Sequence, residues 1–459
     1  MEKLDLTMPE EDGMGAAGIW DDVRTICGAA TNTWSERFLY KLYASPTPIG
    51  VIGEALVGLL NNNAHVFQAS PIGALIEDKV GRRLAGLAGF PDTAAGLTFP
   101  GGSYSNMHAL MVARNRRFPE LKRGGFAAMS GVRPMIFTSA HAHYSIEKAA
   151  VAAGLGLDNV VSVPTDMAGR MDSCALRLLV EQAIAEGGAP FFVNATAGTT
   201  VLGAFDPIDE IADVCADHGL WLHVDGSWGG PLALFCADEL GGYRPGRADS
   251  FTVNPHKLMG VPLQCSFLLM RNGLAPMRDA LGLGASYLFH GGSPDVLDDV
   301  GDATMGCGRR PDAIKLWLAW RYHGTQHFRH RLAAARRLAL EFADMVSTRP
   351  ATALGHWRLA ATPQSTCVCF WFAPGQAGTQ PAPSWGNATR LVCNRLNSLG
   401  HVLVDYATVD LPAGPLPAFF RLPLNSPHVT RDTLAGVLSA IEDTAQALVD
   451  ESPHCFDTE

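Results

Sequence analysis

Between residues 100 and 270, short runs rich in apolar, β-branched and aromatic residues alternate with stretches whose apolar positions recur at helical spacing. The runs are Met135–Ser139, Val160–Val163, Pro190–Asn194, Leu220–Asp225, Ser250–Asn254 and Cys265–Met270, and the amphipathic stretches include Tyr144–Ala153 and Ile208–His218. Alternation of this kind predicts an α/β fold with a largely parallel sheet and helices on both faces. Residues 50–60 also carry a helical pattern, whereas the acidic, Gly-rich residues 1–30 predict a loose arm. Residues 271–303, rich in Gly and Asp, predict a long mobile connection. A helix is expected over 311–346, followed by short strands and helices interrupted by Pro/Gly loops at 374–387 and 411–417. The expected organisation is an N-terminal arm and helical segment (1–75), a large domain (76–328) and a smaller α+β domain (329–459).

Composition adds limits. The 459 residues are 47% hydrophobic and 17% charged, values of a globular chain that can bury its own core. Thirty-five basic against 45 acidic residues leave a net charge of −10. No basic stripe with interleaved aromatics stands out, which argues against nucleic acid and anionic membrane surfaces as partners. No uninterrupted apolar run reaches the roughly 18 residues of a transmembrane helix. The opening MEKLDLTMPEEDGMG has neither the apolar core of a secretory signal nor the Arg-rich character of a transit peptide. The ten cysteines are scattered with no C-x-x-C pair, the usage of a reduced, cytoplasmic protein.

Four stretches carry chemistry. In Val253-Asn254-Pro255-His256-Lys257 a strand runs into a turn and ends on a lysine, with Leu258, Met259, Val261 and Leu263 close behind. A desolvated lysine has a lowered pKa and can form a Schiff base with a carbonyl. Trp221-Leu222-His223-Val224-Asp225 is an apolar strand ending in an acid. A carboxylate at the carboxyl end of a parallel strand points into the crevice where α/β folds bind ligands. Phe99-Pro100-Gly101-Gly102-Ser103-Tyr104-Ser105-Asn106 precedes a helical pattern to Arg117. Open backbone N–H groups, two hydroxyls and a helix N-terminus make an anion cradle suited to phosphate. His141-Ala142-His143 invites a zinc reading, but alternate residues of an extended segment point opposite ways and no Cys or acid completes the set. No metal site is expected there or at His323, His327 and His330, a cationic helix face. A histidine stacked on a flat cofactor ring is the better reading of His143. Lysine, strand-end acid, phosphate cradle and stacking histidine together describe a pyridoxal 5'-phosphate site, in which the acid keeps the pyridine nitrogen protonated so that the ring acts as an electron sink.

The chain resembles the group II pyridoxal-phosphate decarboxylases, most of all their glutamate and cysteine-sulfinate (acidic amino acid) branch. The matching stretches are FPGGSYSNMHAL, HAHYSIEKAA, FFVNATAGTTVLGAFDPIDEIADVC, LWLHVDGSWGG, NPHKLMGVPLQCS, YLFH, CGRRPDAIKLWLAW and FFRLPLN, in order over roughly residues 95–425. The resemblance implies fold type I, the aspartate-aminotransferase-like pair of domains, in a homodimer with active sites at the subunit interface. It implies Lys257 as the Schiff-base lysine, Asp225 as the pyridinium partner and His143 as the stacking histidine. Gly102, Ser103, Ser105, Asn254 and His256 fall at phosphate-contact positions and Thr200 near the ring's 3′-oxygen. Tyr287 matches a catalytic-loop tyrosine that protonates the substrate carbon in the partner's site, and Arg421 an arginine that pairs with a substrate carboxylate.

Departures from the branch bear on substrate. Gly226-Ser227 stands where the best-known relatives have Ala-Ala, which puts a hydroxyl near the cofactor face. Gly306 replaces a Gln, and Lys41 lies where the animal glutamate enzymes carry a Gln, a cation that would suit a carboxylate or sulfinate. The expected activity is α-decarboxylation of glutamate, aspartate or cysteine sulfinate. An aromatic decarboxylase, an aldehyde synthase or a carbon–carbon bond-forming enzyme on the same fold is the second reading, and a non-catalytic binding protein the third.

Overall fold

The fold is that of a computed structural model describing residues 6–10, 12–290, 299–375 and 381–456. Strand β1 (Phe38–Leu39) is short. Seven strands follow: β2 (Ala95–Phe99), β3 (Arg133–Ser139), β4 (Val160–Val163), β5 (Gly188–Thr196), β6 (Trp221–Gly226), β7 (Ser250–Val253) and β8 (Ser266–Met270). The last four are β9 (Gly355–Leu359), β10 (Cys367–Pro374), β11 (Leu403–Leu411) and β12 (Gly414–Pro423). Among the described residues they form a sheet of order β2-β8-β7-β6-β5-β3-β4 and a second of order β1-β11-β12-β10-β9.

In the first sheet β7, β6, β5, β3 and β4 run parallel, β8 is reversed, and β2, antiparallel to β8, runs with the majority. The carboxyl ends of β2, β3, β5, β6 and β7, together with the start of β8, therefore lie along one edge. This topology makes a single crevice from residues scattered over 160 positions. The helix Gly102–Arg117 crosses behind it, and its N-terminus follows β2 through Gly101, whose φ of 110° belongs to glycine. The α/β fold with a largely parallel sheet is as the alternation predicts, and the helix Ile208–His218 falls on its expected bounds, stopped by left-handed Gly219.

Four expectations need correction. The N-terminal arm is not loose throughout: Gly15–Ala29 is a helix, because Ile19, Val23 and Ile26 recur at helical spacing within the acidic stretch. These residues and Trp20 lie exposed on it. The connection 271–303 contains the helix Ala275–Leu281 and a short 3₁₀ turn at Val300–Ala303, while 291–298 lies outside the described residues. The segment 411–417 is chiefly the β11–β12 hairpin, with Pro412 in its turn and Pro415 and Pro417 at the start of β12, where a missing N–H is tolerated. In the 374–387 loop, a helix already begins at Pro383, and 376–380 lies outside the described residues.

The long helix Ala313–Thr348 breaks at Gly324, with φ 76° and ψ 168°. Two buried ionic contacts fasten the crevice edge. Arg309 meets Glu77 at 2.7 Å, and the same carboxylate takes the N–H and hydroxyl of Thr98, just before the Gly101 turn, at 2.7 and 2.6 Å. Lys315 is wholly buried and donates to Glu54 (2.8 Å) and the Gln264 carbonyl (2.7 Å), with Asp312 at 2.8 Å. No helix among the described residues is long and apolar enough to cross a membrane. All ten cysteines are free thiols.

Candidate active site

The strand ends open onto a cleft of about 340 Å³. It brings together Gly102, Ser103, His143, Thr200, Asp225, Ser227, Asn254, His256 and Lys257, residues singled out from five separate sequence stretches. Ser105 lies one turn deeper, its hydroxyl 2.8 Å from that of Ser266 rather than on the cleft wall. Tyr287 is 84% exposed and lies outside this cleft.

Asp225 is fixed by the sheet. It is the last residue but one of β6, opposite Thr196 of β5 and Thr252 of β7. Its Oδ1 accepts the Ser227 N–H (2.9 Å) and its Oδ2 accepts Asn106 Nδ2 (2.8 Å). Burial pushes its pKa up, but the Ser227 hydroxyl and N–H and the charges of His143 and Lys257 outweigh burial and hold it below the usual carboxylate value. Lys257 follows β7 in a tight turn, its N–H on the Asn254 carbonyl (3.0 Å). Burial lowers its pKa, Asp225 opposes that, and Arg421 adds to it. Lys257 and Lys315 differ sharply. Lys315 is surrounded by acceptors, whereas the Lys257 amine makes no hydrogen bond among the described residues and opens into the cleft.

His143 follows β3 and receives the Ser145 N–H on Nδ1 at 3.3 Å. Burial lowers its pKa, and the carboxylate of Asp225 opposes that. His256 Nδ1 lies 2.6 Å from the Cys265 carbonyl oxygen and 3.1 Å from the Cys265 nitrogen, and burial takes its pKa to about 4. His141, the other half of the H-x-H pair, turns away to the Asp410 carbonyl at 2.7 Å.

Several polar groups on the cleft wall are left open. The N–H groups of Gly102 and Ser103 begin the 16-residue helix and have no acceptor among the described residues. The Thr196 hydroxyl, the Trp228 indole N–H and Asn254 Oδ1 are buried without partners. A Cβ on Gly102 would lie 2.3 Å from Ser227 Oγ and 2.8 Å from Asn254 Nδ2, so only glycine leaves the cradle free. Two open N–H groups at a helix N-terminus fit a phosphate, and the unpaired amine above a held carboxylate fits an aldehyde-bearing ring with a basic nitrogen.

The predicted substrate cations lie at the junction of the two sheets. Arg421 on β12 pairs in register with Asp405 of β11 and donates to it at 2.5 Å. It also donates to the carbonyls of Thr200 (3.1 Å) and Tyr40 (3.2 Å), while its Nε is buried and unpaired. Lys41 reaches the same Asp405 oxygen at 3.0 Å. Both cations therefore converge on one carboxylate that sequence reasoning missed. Asn106, His223 and Gln264 were also missed. A signal existed for His223: strand alternation places Trp221, His223 and Asp225 on one face of β6.

Fold and cleft are those of a fold type I pyridoxal-phosphate enzyme. The model of the pyridoxal-dependent decarboxylase conserved domain matches residues 1–373, and the chain belongs to that family: it is an amino acid decarboxylase that uses pyridoxal phosphate. It is 38% identical to an L-aspartate decarboxylase of Metarhizium robertsii over 454 residues, 98% of this chain and 87% of the relative. It is 36% identical to the cysteine sulfinic acid decarboxylase of Mus musculus over 453 residues, 97% of this chain and 89% of the relative. A crystal structure of mouse CSAD superposes with a TM-score of 0.87 at 34% identity, covering 97% of this chain and 91% of that one.

Proposed function

We propose that the chain removes the α-carboxylate of an acidic L-amino acid (aspartate, cysteine sulfinate or glutamate) as CO₂ and releases the amine, with its cofactor attached at Lys257. The observation that carries this reading is the Lys257 amine: half-buried on the cleft wall, without a hydrogen bond among the described residues, shifted toward its neutral form, and within electrostatic reach of Asp225. When bound, pyridoxal phosphate supplies a conjugated cationic ring that takes up the electron pair left by departing CO₂.

The chain's residues do the rest. The N–H groups of Gly102 and Ser103, with Asn254, Ser227 and His256, would hold the phosphate. His143 would cover one face of the ring, and Thr200 would lie near its 3′-oxygen. Asp225 keeps a proton on the ring nitrogen, which its low pKa suits. Lys257, its amine shifted toward the neutral form, would hold the cofactor by its aldehyde carbon. Arg421 supports an acidic substrate, as a buried guanidinium whose hydrogen bond to the Thr200 carbonyl links it to the cleft wall. The named substrates of the relatives point to the same class. Tyr287 is exposed and does not line its own cleft. We assign it to the cleft of a second copy in a homodimer, where it returns a proton to the α-carbon. Ten free thiols support a reducing, cytoplasmic setting.

The test is a product assay on cofactor-loaded protein, offering aspartate, cysteine sulfinate, glutamate and aromatic amino acids separately. Equal CO₂ and amine from an acidic substrate is the expected result, abolished in Lys257→Ala. CO₂ without amine, or turnover of aromatic substrates alone, overturns the reading.

A further inference from the structure

Behind Asp225 runs a row of buried hydrogen bonds that ends on its carboxylate. Trp221 Nε1 donates to Ser250 Oγ at 2.9 Å, and Ser250 Oγ lies 2.8 Å from His223 Nδ1. His223 Nε2 lies 3.1 Å from Asn106 Oδ1. Asn106 Nδ2 reaches Asp225 Oδ2 at 2.8 Å and Ser145 Oγ at 3.0 Å. Every member is 8% exposed or less, and the Phe192 ring stacks on that of His223. The row is assembled by the fold: His223 pairs in register with Ser250 across β6 and β7, and Asn106 projects from the helix Gly102–Arg117.

The ends of the row fix its direction. An indole N–H can only donate, and an ionised carboxylate can only accept. Asn106 therefore gives Nδ2 to Asp225 and turns Oδ1 to His223 as an acceptor, while Ser250 accepts from Trp221 and, with His223 neutral, gives its own proton to the bare Nδ1. His223 must then carry its proton on Nε2 and donate to Asn106 Oδ1. That contact holds the amide with both Nδ2 hydrogens outward, one on Asp225 and one on Ser145. A reversed amide would set its oxygen against the carboxylate. Burial takes the His223 pKa to about 4, which keeps this neutral tautomer through the working range.

We propose that His223, anchored by Ser250 and Trp221, is a positioning residue that acts through Asn106 to hold Asp225 ionised and aimed at the cofactor's ring nitrogen. The proposal rests on the assignment of Asp225 to that nitrogen. Without the Asn106 donor, Asp225 holds a proton more strongly and the ring carries less positive charge. The nitrogen joining Lys257 to the cofactor then keeps its proton to higher pH, and the ring accepts electrons less readily.

The test uses the holoenzyme and two substitutions of one residue. In His223→Gln the amide nitrogen takes the place of Nε2 and can still donate to Asn106. In His223→Asn it reaches only as far as Nδ1. Two readouts are followed: the pH midpoint of the cofactor's visible absorption, and kcat against KM. For His223→Asn the midpoint is expected to rise by about one pH unit, the worth of a hydrogen bond to a charged group. A fall in kcat of roughly tenfold with little change in KM should accompany it. His223→Gln should restore both. Equal behaviour of the two variants, or an unmoved midpoint in His223→Asn, overturns the proposal. If His223→Asn does not fold, Ser250→Ala releases the Nδ1 anchor with little loss of packing. A smaller midpoint shift in the same direction is then expected, and none overturns the relay. Asp225→Asn separates the two levels: if that variant keeps the wild-type midpoint and kcat, it is the assignment of Asp225 that fails.

Discussion

Glu77→Gln tests how the cofactor cradle is held. Glu77 and Arg309 are 3% and 6% exposed, and their closest contact is 2.7 Å. Gln keeps the acceptor oxygen for the N–H and hydroxyl of Thr98 but strands a charged guanidinium in the interior. Breaking a buried pair from one side costs about 3–5 kcal/mol. At roughly 2.1 cal/mol/K per residue, 459 residues have an unfolding entropy of about 1 kcal/mol/K, so Tm should fall by about 3–5 °C. Adding Arg309→Met removes the stranded charge, at the expense of the Arg309 bond to the Ala64 carbonyl. The double variant should melt above Glu77→Gln alone, with a coupling of about 1–3 kcal/mol. Because Thr98 precedes the Gly101–Gly102 turn, the single variant should also release cofactor faster on dialysis. The assay is thermal unfolding of apo and loaded protein with parallel measurement of retained cofactor. A Tm loss below about 1 °C, or additive effects in the double variant, would refute the reasoning.

Asp405→Asn removes the carboxylate that now holds Arg421 and Lys41. A charge-assisted bond of about 1.5–3 kcal/mol no longer has to be displaced, so KM for an acidic substrate should fall roughly tenfold or more; an unchanged KM with an intact fold removes Arg421 from substrate recognition. Covalent attachment of cofactor to apoprotein requires the neutral Lys257 amine, so its rate should rise with pH to a midpoint below that of free lysine. Arg421→Met should raise that midpoint and Asp225→Asn lower it, since Arg421 depresses the Lys257 pKa and Asp225 raises it. Opposite shifts in stopped-flow absorbance would disprove the electrostatic reading of the cleft. Tyr287→Phe should leave CO₂ release measurable while the amine yield drops; a clean amine product excludes it as proton donor.

The parts of the site that lie at strand ends were legible in the sequence. Asp225, Lys257 and the Gly101–Gly102 turn each close an apolar run, and a parallel sheet carries such ends to one edge whatever lies between them. What was not legible depends on which elements become neighbours. Asp405 is a mid-strand acid until β11 pairs with β12 and sets it against Arg421. Asn106 reads as a polar residue of an early helical turn until that helix crosses behind β6. The Gly15–Ala29 helix was hidden by glycine content, which masks periodicity without abolishing it. The prolines at 415 and 417 suggested a loop because a strand's tolerance for Pro depends on whether the N–H has a partner.

Charge from the small sheet reaches the cleft of the large one. Arg421 comes from the small sheet, yet it depresses the Lys257 pKa in the large one and donates to the Thr200 carbonyl on the cleft wall. Asp225 pulls the other way from beneath. Asp225 favours the charged lysine, whereas burial and Arg421 favour the neutral one, so opposite charges from the two sheets act on one amine. With Asp405 sharing Arg421, the cation beside Lys257 is partly neutralised until a carboxylate ligand competes for it. Entry of an acidic substrate would thus alter the balance of charge at Lys257 as it binds, which couples recognition by the small sheet to the protonation state of the amine in the large one.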